Sequence, residues 1–220
     1  MTKTGAALIA LAIYFNIPFA QLAARFDYPD ILRQPAEVIL AEFQAGGVGL
    51  IATWYAFALA ALLMIPVGLA HAFARGRMAL MPELATSAAM LGASAGLLQA
   101  MGLLRWVLVV PGLAASGDVQ GFELIHAFGG LALGEHLGMV LTAGHVFLVA
   151  VMQHKESRRL LALLGHGVGV LIALGAFEGP ALAFGLPAGI LALCAVVGYL
   201  GLSAWMILSG LSLGPGKLQS

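Results

Sequence analysis

Residues 123–154 read ELIHAFGGLALGEHLGMVLTAGHVFLVAVMQH. The stretch is long and apolar enough to cross a bilayer, which takes about 20 mostly apolar residues. Yet it carries Glu123, His126, Glu135, His136 and His145, with His154 at its end. Ionisable groups are costly inside a membrane and usually face a partner, a cavity or a ligand. Gly130, Gly134 and Gly138 add a GxxxGxxxG run, a spacing that lets helices approach closely.

The whole chain has the same character. Of its 220 residues, 61% are hydrophobic and 9% charged, and the mean hydropathy is +1.01. Soluble domains carry about 25% charged residues, so lipid is the natural solvent here. Net charge is zero, and nothing points to nucleic acid. The single cysteine, Cys194, excludes an intrachain disulfide and reads as a small buried hydrophobe.

The reading is an all-α, polytopic bundle forming a single transmembrane domain over residues 1–220, with spans near 5–25, 48–73, 80–104, 122–152, 159–179 and 187–211. Lys3 followed by an apolar run resembles a signal peptide, but no clean A-x-A site follows, so 5–25 is read as a retained span. Asn16 and Pro18 within it imply a kink or an internal polar contact. Span four is longer than it needs to be and should tilt, bend at Gly129–Gly130 or protrude.

Orientation follows from Lys and Arg. With the N-terminus inside, the inner side holds Lys3, Arg75, Arg77, Lys155, Arg158, Arg159 and Lys217. The outer side holds only Arg25, Arg33 and Arg105. Both termini are therefore expected in the cytoplasm. The first outer loop, FDYPDILRQPAEVILAEFQAGG, predicts a short amphipathic helix that starts near Pro35 and ends at Gly46–Gly47. It would be an interfacial anchor or a lid over an outward-facing cavity.

Elsewhere the plain readings suffice. Trp54 and Tyr55 suit an interface, and His71 beside Arg75 and Arg77 reads as a solvated inner-surface residue. Gly92 and Gly96 form a second GxxxG. Arg105-Trp106 reads as a snorkelling Arg beside an interfacial Trp, or as an Arg turned inward toward Glu123 or Asp118.

Helical angles divide span four. At about 100° per residue and with Gly134 at zero, Glu123 and His145 lie within about 20° of the glycine stripe. Glu135 falls near 100° and His126 near −80°, on opposite flanks, with His136 almost behind. Counting outward from the turn at residues 155–156 places His145 level with His166, and Glu135 within a turn of Glu178. His145 and His166 on facing helices are the candidate axial ligands of a b-type haem, or a structural pair. A Glu/His metal site from Glu123, His126 and Glu135 lacks any recognised spacing.

Residues 26–47, 102–114 and 126–138, which include GLLRWVLVVPGLA and HAFGGLALGEHLG, resemble a group of small bacterial multi-span proteins catalogued as a domain of unknown function. That resemblance implies about six spans in a bacterial cytoplasmic (inner) membrane and assigns no activity.

Three readings stay open. The first is a non-enzymatic protein that binds or moves a small ligand or proton through an outward-facing pocket. Arg105, Glu123, His126, Glu135 and Glu178 would line it. The second is a haem-binding redox protein using His145 and His166. The third is an accessory subunit or homo-oligomer packed through its glycine stripes. The lipid bilayer is a partner in all three.

Overall fold

The computed structural model describes residues 1–214; Lys217, counted above, lies outside them. The described residues are almost all helical, without a strand. Helix α1 is Lys3–Phe26, α2 Ala36–Ala72, α3 Arg77–Leu80, α4 Pro82–Leu108, α5 Val110–Ser116, α6 Val119–Ile125 and α7 Gly138–Lys155. Then follow α8 Arg159–Gly175, α9 Glu178–Ala183 and α10 Gly189–Ser212. Between α6 and α7 runs a twelve-residue π-helix, His126–Leu137.

Six helical stretches are long and apolar enough to cross a membrane. Each packs on the next along the chain, and α10 returns to α1. The bundle is thus a closed six-membered ring. Both ends of the described residues lie on one side, where the Thr2 amide donates to the Leu213 carbonyl at 3.2 Å. Large apolar side chains such as Ile13, Leu63, Met90, Leu163, Val170 and Leu208 face outward. In water that surface would be a liability; in lipid it is the solvent face.

Small residues set the spacing of the ring. A Cβ on Gly5 would meet the Gly210 carbonyl, and a Cβ on Gly175 would sit 2.7 Å from the Ala195 backbone. The stripe of span four turns inward. Gly134 packs on Gly102, Gly138 on Gln99, and Gly130 on Arg105, all of α4. A Cβ on Gly102 would lie 2.7 Å from Gly134 Cα. Because backbone opposes it there, Gly102→Ala is expected to destabilise the protein by about 1–3 kcal/mol, read as a lower melting temperature in detergent.

The loop helix forms as its pattern implied, with Ile39, Leu40 and Phe43 buried beneath it. It continues into span two through a single break at Gly47, whose φ of 56° and ψ of −153° suit glycine. Val38 of the same helix is exposed.

Three expectations are corrected by burial. Trp54 is not interfacial: it stacks on Trp106 inside the ring, 4.7 Å between centroids and 8° between planes. His71 is only 2% exposed, packed beside Trp205 and His145. Arg105 does not snorkel, nor does it reach Glu123 or Asp118. It turns inward onto Gly102 and His126.

Candidate functional site

The π-helix explains why the angular reading of span four fails. In an α-helix, nine residues are two and a half turns, which puts His126 and Glu135 on opposite faces. The wider π coil bonds i to i+5, as where the Gly138 amide reaches the Leu133 carbonyl. Nine residues are then about two turns. His126, Gly130, Gly134 and Glu135 consequently line the same void. Long π-helices are rare, and short ones recur at functional sites.

That void is a cavity of about 390 Å³ inside the half of the ring away from the termini. Every span contributes to it, and Tyr28, Pro29, Leu32 and Arg33 of the first loop cover it. The volume lies in the range of small-molecule sites, about 300–1,000 Å³. Its walls are mostly apolar and aromatic: Phe15, Phe19, Trp54, Phe57, Trp106 and Tyr199. The charged groups and His126 gather together, with Arg105, His126 and Glu135 near the roof pair Arg33 and Glu178.

Arg105 is the most unusual of these. It is 6% exposed, and one guanidinium nitrogen donates to the Gly102 carbonyl. The second lies 3.4 Å from His126 Nδ1, and the head sits 5.1 Å from the centre of the Trp106 ring. Its Nε has no hydrogen-bond partner, and among the described residues no carboxylate lies within 4.0 Å of it. The indole N–H groups of Trp54 and Trp106 also lack partners. A buried cation with no counter-ion in contact is costly unless something else supplies charge at close range; Glu135 lines the same cavity without pairing with it.

Glycines make the cradle that holds it. A side chain at Gly130 would come within 2.6 Å of the Arg105 guanidinium. Above it, Arg33 bonds Glu178 and, at 3.4 Å, Asp30, which ties the loop to the end of span five. Burial, and then the nearby Glu135 charge, pushes the Tyr28 phenol well above its ordinary range. Tyr28 therefore stays a neutral hydrogen-bond donor in the roof.

Of the residues singled out from the sequence, Arg105, His126, Glu135 and Glu178 line this cavity. Glu123 does not: it is exposed on α6, just before the π-helix begins. His136 points away and binds the Ala176 carbonyl at 2.7 Å, pinning the π-helix to the end of α8. His145 binds the Ala88 carbonyl at 2.8 Å, while His166 binds its own-helix Ala162 carbonyl at 2.6 Å and packs on Phe147. No hydrogen bond or ring contact joins His145 to His166 among the described residues, and neither lines the cavity. No cluster of three or more His, Cys, Asp or Glu suited to a metal ion occurs among those residues.

Sequence reasoning missed Arg33, Tyr28, Gln99 and Tyr199. Gln99 carried a usable signal, a lone amide in the middle of an apolar span. Its Nε2 donates to Tyr199 Oη at 2.8 Å and to Thr142 Oγ1 at 2.6 Å, and this network forms the floor of the cavity.

Among curated proteins and among solved structures, nothing matches the chain significantly. A family model does match, over residues 3–210, nearly the whole ring of six spans. This multi-pass membrane protein therefore belongs to the family described as a domain of unknown function (DUF4386).

Proposed function

We propose that the protein is a binding protein or carrier of the bacterial cytoplasmic membrane, acting as one transmembrane domain, whose cavity takes a small amphiphile bearing one anionic group. The observation that carries this reading is Arg105: a buried guanidinium with an unpartnered Nε, beside a largely apolar void of ligand size. The anionic head would sit on Arg105, near the Trp54 and Trp106 indole donors, with the apolar remainder against the aromatic wall. The excess of Lys and Arg on the termini side supports cytoplasmic termini and hence a cavity that opens outward.

Trp54 and Trp106 line the cavity and report on its occupant. Titrating the detergent-solubilised protein with decanoate, decanol and decylamine tests the reading by tryptophan fluorescence. Decanoate is expected to bind about 10–100-fold more tightly than decanol, the value of one charge-assisted hydrogen-bonded contact. Equal affinities for the three would overturn it. Glu135 shares the cavity and opposes an anion there. Glu135→Gln is therefore expected to tighten decanoate binding severalfold and to leave decanol unchanged.

A further inference from the structure

Two smaller voids continue the large cavity along the ring axis. The first, about 20 Å³, shares Phe15, Gln99 and Tyr199 with it and reaches Thr142 and His145. The second, about 10 Å³, shares Thr142 and His145 with the first and reaches His71 and Trp205. A space of about 10–15 Å³ accommodates one water, given two or more polar partners. Those partners are present. The rings of His71 and His145 lie 6.3 Å apart, centre to centre. Nδ1 of His145 is committed to the Ala88 carbonyl. Its Nε2 and both ring nitrogens of His71 have no hydrogen-bond partner among the described residues.

We propose that this axial column is a proton path joining the large cavity to the termini side, with His145 and His71 as its relays. A proton enters along the water space lined by Tyr199 and Thr142, whose hydroxyls Gln99 orients by donating to both. His145 accepts it at Nε2 and becomes an imidazolium, because Nδ1–H stays on Ala88. The same Nε2 then releases a proton into the space shared with His71, and His145 is neutral again. His71 has both nitrogens free, so it takes a proton on one and gives one up from the other. It stands in the last turn of α2, beside a termini-side cluster in which Glu156 is ringed by Arg75, Arg77 and Arg158. The charged or titratable groups facing the two histidines are each other and Arg77. Arg77 also fixes the end of α2 by donating to the His71 carbonyl at 2.8 Å. The inference does not depend on which molecule fills the large cavity.

The full chain in vesicles enclosing the pH dye pyranine, driven by a potassium diffusion potential with valinomycin, tests it. The wild-type protein is expected to acidify the lumen at least severalfold faster than protein-free vesicles, and more slowly in D2O. His145→Gln and His71→Gln are each expected to lower that flux at least tenfold while decanoate still binds in the large cavity. If either histidine variant fails to fold, Thr142→Val, which keeps the side-chain shape but removes the hydroxyl, is expected to show the same loss. Wild-type flux equal to that of empty vesicles would overturn the proposal, as would folded variants that conduct like the wild type. Loss of decanoate binding with flux intact would instead count against the ligand reading alone.

Discussion

Replacing Arg105 with methionine is expected to give a protein that melts higher and no longer distinguishes decanoate from decanol. The two effects share one cause. The Arg105 guanidinium is buried, with its Nε unpaired and no carboxylate within ion-pair distance. Exchanging a poorly compensated buried charge for an apolar side chain of similar length stabilises proteins by about 1–3 kcal/mol. Part of that gain is offset by the lost bonds to the Gly102 carbonyl and His126. The net rise in melting temperature is about 2–4 °C for a chain of this size. Decanoate should weaken by about 10–100-fold and decanol by little. A melting temperature that falls, with binding intact, would make Arg105 a structural strut.

Arg77 is the opposite case, and its loss is expected to be the most damaging single change. Its side chain is 1% exposed and fully committed. Nε and Nη2 take both oxygens of Glu156, at 2.7 and 3.1 Å, and Nη1 takes the His71 carbonyl. One residue thus joins the end of span two to the turn between spans four and five. Arg77→Met would strand the Glu156 carboxylate, although Arg75 and Arg158 remain near it at 3.6 and 3.9 Å. Breaking a buried pair from one side costs about 3–5 kcal/mol. The expected result is poor recovery from the membrane and a melting temperature well below the wild type. Restoring hydrogen-bonding reach with Arg77→Lys should recover only part, since an ammonium cannot make the two-pronged contact.

The contrast between these arginines shows how much of the protein was legible beforehand. Hydropathy located the six spans because lipid demands long apolar helices. The cost of charge in a membrane drew attention to Arg105, His126, Glu135 and Glu178, which all line one cavity. The same argument also raised Glu123, which lies exposed near a helix end and outside the cavity. Neighbours across the ring were not legible. Nothing local says that Arg33 of the first loop meets Glu178, or that His71 is enclosed while Arg75 beside it is partly solvated. The angular map of span four went wrong for a different reason. It assumed one pitch throughout, and the bonding changes at His126.

That change of pitch also takes up part of the surplus length in span four. Its 37 residues would make a rod of about 55 Å at 1.5 Å per residue, against about 30 Å of hydrocarbon. A kink at Gly129–Gly130 was one way to absorb the excess. The helix grows stouter instead of taller: for the twelve residues from His126 it spends chain on girth. A wider coil rises less per residue, so part of the mismatch with the bilayer is absorbed within the helix itself. The glycines of α4 and of the coil itself leave room for the extra width.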